Sequence, residues 1–197
     1  MYNLGRIIFT FYLYIFNSFH IHGKENQIPE GPYILFANHQ SILDIFVLNI
    51  AIKRKLTFIA KKSVFDNPFI GFFAKSYGAF PVDREKTDIT AIKNCLKTIK
   101  NGDILAIFPE GTRIRKGKIP SVKAGFVSIA LKTNSDLLPV RIQYKRNLMI
   151  FNKIDVYIGK PLSIKDDITL SDNKPDLCKT AQNLMNICYG LGINENI

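Results

Sequence analysis

Cysteine is scarce in this chain: Cys95, Cys178 and Cys188 are odd in number, widely spaced and form no Cys-x-x-Cys pair. That argues against a disulfide framework or a thiolate zinc site and for a reducing compartment. Histidine is equally scarce, with three residues. His20 and His22 flank Ile21 with no acid or thiol cluster nearby in sequence, so they read as structural or exposed, and no metal site is expected. No Walker loop is present and no Gly-x-Gly-x-x-Gly follows a strand, which disfavours nucleotide chemistry. Neither serine nor cysteine occupies a nucleophile elbow, so a covalent acyl-enzyme is not suggested. Long apolar runs are missing as well. The longest, Leu4 to Phe16, is interrupted by Gly5, Arg6 and Thr10 and falls short of the roughly 20 residues that a bilayer-crossing helix needs. No small-residue cleavage pattern follows it. Residues 1–19 therefore read as a helix lying in or dipping into the membrane interface, with a buried core helix as the alternative.

Acidic residues are few: 16 Asp+Glu against 27 Lys+Arg leave a formal net charge of +11. Such a balance suits a polyanionic partner, whether a membrane surface, a nucleic acid or an acidic carrier protein; a Lys-, Asn- and Ile-rich composition can also produce it with no functional meaning. What is abundant is apolar: 47% hydrophobic against 22% charged residues, at a one-domain length of 197. This excludes a disordered chain and a polytopic membrane protein.

From residue 20 to 197 the pattern is that of a single α/β domain. Apolar strand candidates recur at 33–37, 56–60, 79–82, 104–108, 138–144 and 155–158, with helix-like stretches between most of them. The clearest helix spans 87–101, with Ile89, Ile92, Leu96 and Ile99 on one face and Gly102 as its stop. Another is expected from Pro68, capped by Asn67 and aromatic on nearly every side, either in the core or docked on lipid; 176–189 reads as a packing helix. This alternation predicts a mixed, mostly parallel sheet covered by helices on both faces.

Chemistry is expected where strands run out, since loops and helix N-termini converge at the carboxyl edge of such a sheet. Asn38-His39-Gln40-Ser41-Ile42-Leu43-Asp44 follows the strand at 33–37. On one helix, His39 and Asp44 would stand about 140° apart and could not pair. With Ser41 as N-cap, Asp44 falls at the third helical position and can fold back over the loop that carries His39. An imidazole, an acid to fix its tautomer and a helix start are the parts of a general base. An ordinary loop histidine beside an ordinary helix cap is the plainer alternative. Phe108-Pro109-Glu110-Gly111-Thr112-Arg113 ends the strand at 104–108, and Val82-Asp83-Arg84 ends the one at 79–82. Arg84 and Arg113 offer guanidinium forks matched to a phosphate, Gly111 allows close backbone approach, and Arg115, Lys116, Lys118 and Lys123 add positive potential.

Taken together, His39 to Asp44, Gly78-Ala79-Phe80-Pro81-Val82-Asp83-Arg84, Phe108 to Arg113 and Leu138-Pro139-Val140 resemble, in order, the four motifs of the lysophosphatidic acid acyltransferase (glycerolipid acyltransferase) family. The likeness runs from about Gly23 to Pro161. It implies a transferase that moves a fatty acyl group from acyl-CoA or acyl carrier protein to the hydroxyl of 1-acylglycerol-3-phosphate, giving phosphatidic acid. His39 would be the base and Asp44 its support. Arg84, Glu110, Gly111, Thr112 and Arg113 would form the acceptor-phosphate region, joined by Lys61 at a commonly basic position. No bound cofactor is implied. The expected setting is the cytoplasmic side of the cell membrane, on an anionic surface, as a peripheral or monotopic protein. Arg141 and Ile114 depart from the family pattern, which leaves glycerol-3-phosphate or another lysolipid as alternative acceptors. A non-catalytic basic adaptor for membrane or nucleic acid is the more distant reading, though no nucleic-acid partner is expected.

Overall fold

The computed structural model describes residues 2–83, 88–114, 121–146, 150–171 and 174–193. In chain order the elements are α1 (Tyr2–Phe16), β1 (Ser18–His22), β2 (Ile34–Ala37), α2 (Asp44–Ala51), β3 (Leu56–Lys61), α3 (Pro68–Ser76), β4 (Ala79–Val82), α4 (Ile89–Lys100), β5 (Ile104–Ile107), α5 (Gly125–Thr133), β6 (Leu137–Tyr144), β7 (Lys153–Ile158), β8 (Leu170–Ser171), β9 (Lys174–Pro175) and α6 (Leu177–Gly190). Seven strands form one sheet in the order β1-β7-β6-β2-β5-β3-β4. Every pairing is parallel except β6 with β7, so β7 and β1 run against the other five. The expected mixed, mostly parallel α/β sheet is what the chain forms.

β2 shows why the sheet is covered twice. All four of its residues are buried, and successive side chains point to opposite faces. Leu35 and Ala37 join a core that takes in Leu13 of α1 and Val47, Leu48 and Ala51 of α2. Ile34 and Phe36 join a second core with Cys95 and Ile99 of α4, Phe126, Val127 and Ala130 of α5, and Leu184, Met185 and Cys188 of α6. A strand buried on both sides has to be apolar throughout.

α1 is half committed to this core. Leu13 is buried, Phe9 stacks on Phe46 of α2 at 3.8 Å, and Tyr2 donates a hydrogen bond to Asn49 Oδ1 at 3.1 Å. The residues that interrupt its apolar run serve this face. Gly5 leaves room for the Tyr77 hydroxyl, and Arg6 donates to Ile52 O and Lys53 O at the end of α2, both at 3.2 Å. The opposite face, Leu4, Ile7, Ile8, Phe11, Tyr14 and Ile15, is exposed at helical spacing. Among the described residues no helix is long and apolar enough to cross a membrane.

Two local expectations change. α4 turns a different face inward: Ala91, Cys95, Thr98 and Ile99 are buried, while Ile89 and Ile92 are exposed. Small side chains let the helix sit close to the sheet, which outweighs the larger apolar stripe. α2 starts at Asp44 rather than just after Ser41, because Ser41 O accepts from Asp44 N at 3.2 Å and Ser41 Oγ from Leu43 N at 3.2 Å, closing a separate turn ahead of the helix. The β8–β9 hairpin had no clear signal in its composition.

Candidate active site

Asn38, the first residue beyond β2, is buried, and its side chain imitates a peptide group. Nδ2 donates to Ile142 O at 2.9 Å and Oδ1 accepts from Ile142 N at 2.7 Å, so it continues the pairing with β6 after the backbone has turned away. The chain is thereby free to leave the sheet at His39 with both backbone groups of Ile142 matched.

His39 is then held from four sides. Its N–H donates to Glu110 Oε2 at 2.7 Å, and its carbonyl accepts from Ile114 N at 2.8 Å. Its ring stacks on Phe108 with centroids 4.2 Å apart, and Nδ1 lies 2.8 Å from Asp44 Oδ2. Asp44 is fully buried. Oδ2 also accepts from Gln40 N at 2.7 Å and Ser41 N at 2.8 Å, and Oδ1 from the Tyr144 hydroxyl at 2.6 Å. With donors converging on both of its oxygens, the carboxylate is the acceptor of the ring contact, so the proton of that contact belongs on Nδ1 and Nε2 is left with its lone pair. The tautomer follows from the partners rather than from any visible hydrogen.

Both carboxylate oxygens of Glu110 are engaged inside the protein. The residue is buried, with Oε2 on the His39 N–H and Oε1 accepting from the Tyr189 hydroxyl of α6 at 2.5 Å. Through these two bonds the Glu110 carboxylate braces the His39 turn against α6. Desolvation raises its pKa, opposed by the Tyr189 hydroxyl and the His39 N–H. Burial also raises Tyr144, with the Asp44 charge adding to it, and raises Tyr189, with its bond to Glu110 adding to it. Both phenols therefore stay donors.

Gly111 adopts φ +66°, and a Cβ there would meet Lys123 Cε at 3.1 Å, so the lysine stem lies across this turn. Thr112 and Arg113 are exposed, next to Ile114 on the His39 carbonyl. Lys61 is exposed at the end of β3, on the same carboxyl edge because β3, β5 and β2 are parallel neighbours. Arg84, like Arg115, Lys116 and Lys118, lies outside the described residues, as do the side chains of Phe69 and Phe73. The structure thus brings His39, Asp44 and Glu110 into one bonded cluster and sets Gly111, Thr112, Arg113 and Lys61 along the same edge. Arg141, a departure from the motif pattern, reaches away to donate to Leu191 O at 2.6 Å.

Three members of this cluster had no signal in the sequence. Tyr144 and Tyr189 are 100 and 79 residues from their partners, and Asn38 is marked only by standing where a strand ends. Among the described residues, no group of three His, Cys, Asp or Glu side chains is placed to hold a metal ion.

Comparison with known proteins follows this geometry. The 1-acyl-sn-glycerol-3-phosphate acyltransferase of Bacillus subtilis is 34% identical over 150 residues, 74% of each chain. LPAT1, the chloroplastic enzyme of that name from Arabidopsis thaliana, is 29% identical over 85% of this chain and 50% of its own, and the Streptococcus pneumoniae enzyme is 32% identical over 78% and 59%. The chain therefore spans between 50% and 74% of the length of these relatives. The crystal structure of the 1-acyl-sn-glycerophosphate (LPA) acyltransferase PlsC from Thermotoga maritima shares the fold, with a TM-score of 0.68 at 24% identity over 98% of this chain and 78% of that one. The sequence model of the Acyltransferase family matches residues 18–143. Since that match takes in both the His39 turn and the Glu110 turn, bonded to each other at the edge of the sheet, this chain belongs to the acyltransferase family.

Proposed function

We propose that the protein transfers a fatty acyl group from a thioester, carried on coenzyme A or acyl carrier protein, to the free hydroxyl of 1-acylglycerol-3-phosphate. The names of its relatives support the acceptor. The observation that carries the chemistry is the His39–Asp44 contact, in which a carboxylate with donors on both oxygens orients Nδ1–H and leaves Nε2 basic. His39 Nε2 takes the hydroxyl proton as the oxygen attacks the thioester carbonyl. The C–O bond forms, the C–S bond breaks, and the imidazolium returns the proton to the departing sulfur. Such a base contributes about 10²- to 10⁴-fold; the remainder rests on holding both substrates in line.

Arg113 and Lys61, with Arg84, bind the acceptor phosphate in this reading, since cations at a strand edge match its charge. The exposed stripe of α1 rests in the interface of an anionic membrane at its cytoplasmic face, where a lysolipid acceptor resides. An apolar groove for the acyl chain is required, and Phe65, Phe69, Phe72 and Phe73 are its candidates.

Purified protein given a panel of lysolipids and both donors tests this. Thiol release is expected with 1-acylglycerol-3-phosphate, is abolished in His39→Ala at unchanged fold, and shows a raised acceptor KM in Arg113→Ala. Wild-type turnover by His39→Ala would remove the base assignment, and activity on phosphate-free acceptors indifferent to Arg113 would remove the phosphate role.

A further inference from the structure

The turn between β6 and β7 leaves the sheet on the edge that carries His39, because β6 runs parallel to β2. Its described residues are Lys145 and Arg146 on one limb and Ile150, Phe151 and Asn152 on the other. Two buried asparagines splice it onto the end of α1. Asn152 Nδ2 donates to Arg146 O at 2.6 Å, its Oδ1 accepts from Arg146 N at 2.9 Å, and its own N–H donates to Asn17 Oδ1 at 3.1 Å. Phe151 N–H donates to Phe16 O, in the last residue of α1, at 2.7 Å. Yet the Phe151 ring is held out in solvent: the residue is 71% exposed at φ +52°, a conformation rare for a bulky side chain.

Between this turn and α1 lies a cleft of about 350 Å³, whose lining includes Phe16, Asn17, Lys145, Arg146, Phe151 and Lys153 and, among the described residues, no acidic one. Lys153 is already paired with Asp155 at 3.3 Å. Among the described residues Lys145 and Arg146 have no carboxylate partner. Asn17 Nδ2 is a buried donor with no hydrogen-bond partner among the described residues, which is unusual in a folded chain. Apolar and cationic groups thus meet at one spot, and the apolar part continues through Ile15 into the exposed stripe of α1.

We infer that Lys145, Arg146 and Phe151, described residues flanking the β6–β7 connection, form a second lipid-docking element. Phe151 enters the headgroup boundary beside α1, while Lys145 and Arg146 bind the phosphates of anionic lipids at the mouth of the cleft. Charge complementarity selects a lipid surface as the occupant, and the splice to α1 places the turn level with the helix. Docking by two elements, unlike docking by a helix alone, fixes the orientation of the domain and turns the His39 edge toward the bilayer. The inference rests on the membrane reading given above and extends it to a residue-level contact.

The chain contains no tryptophan, so Phe151→Trp and, separately, Ile8→Trp on α1 each introduce a single fluorescent reporter into the full chain. On vesicles of phosphatidylcholine with phosphatidylglycerol, both emissions should shift to the blue and become shielded from an aqueous quencher. Phosphatidylcholine alone should give a weaker response. Lys145→Ala with Arg146→Ala should weaken anionic-vesicle binding about fivefold per charge removed, and less in high salt. A shift at Ile8→Trp with none at Phe151→Trp would overturn the second element and leave α1 docking intact. No shift at either would remove the membrane reading and this inference together. A shift at Phe151→Trp that needs no vesicles and grows with protein concentration would assign the patch to a second copy of the chain. Wild-type binding by the double alanine variant would overturn the phosphate contacts.

Discussion

Imidazole meets carboxylate in two regions of this molecule, and the two are built differently. On the edge strand β1, His20 Nδ1 and His22 Nε2 lie 3.7 and 3.2 Å from the same oxygen of Asp155, whose other oxygen faces Lys153. The parallel register places Asp155 opposite His20, and His22 stacks on Tyr157. Beyond the end of β2, His39 and Asp44 meet at 2.8 Å. The His39 side chain is 15% exposed, against 50% and 40% for His20 and His22. Asp155 divides its charge among three partners, so it orients neither imidazole alone, although His22 is stacked on Tyr157. Asp44 has one imidazole, and its other bonds, two backbone N–H groups and the Tyr144 hydroxyl, fix the carboxylate itself. Proximity of the two groups therefore does not by itself set the proposed base apart. What differs is a carboxylate given to one imidazole, a more buried ring and a position at the carboxyl edge.

The largest effect is expected from His39→Ala, a loss of about 10²- to 10⁴-fold in kcat by thiol release, while His20→Ala with His22→Ala keeps wild-type turnover. Equal losses in the two variants would erase the distinction. A smaller effect is expected from Tyr144→Phe, which removes a hydrogen bond to a buried charge. Urea melts should show about 1.5–3 kcal/mol of destabilisation, and kcat should fall with the acceptor KM unchanged; a change in KM alone would deny Tyr144 its part in orienting the base. Glu110→Gln sharpens the account through pH. Because desolvation raises the Glu110 carboxyl, its contribution to stability is complete below the unfolded value of about 4.3 and is lost as pH rises through the higher folded value. The Tm of the wild type relative to Glu110→Gln should accordingly decline from about pH 4 upward, and a gap that widens would contradict the burial argument. The smallest effect on turnover should come from Asp155→Asn, which neutralises a buried carboxylate at a cost of about 1.5–3 kcal/mol in stability by urea melt with activity unaltered.

How much could be read in advance differs from element to element. β4 ends where its alternation does, at Val82, and β2 and β6 begin within a residue of the apolar runs that announced them. The stripe of isoleucines in α4 was a weaker guide, since three small residues allowed a closer approach to the sheet from another side. Within the site, the His39–Asp44 contact was visible because both groups lie on one short turn, whose closure depends mainly on its own backbone. Glu110 was visible as a residue but not in what it does. Its carboxylate bonds the His39 N–H, 71 positions away, and that contact depends on β5 lying beside β2.

By itself the sequence determined the alternation of strands and helices, the pairing of an imidazole with an acid across one turn, and the apolar stripe of α1, all of which arise from interactions among residues close in the chain. Only the tertiary structure decided which strands are neighbours, that β7 and β1 run against the rest, and that Tyr144, Tyr189 and Asn38 complete the site. Those choices depend on burying two faces of one sheet at once, and a linear pattern records that a side chain is to be buried without recording against what.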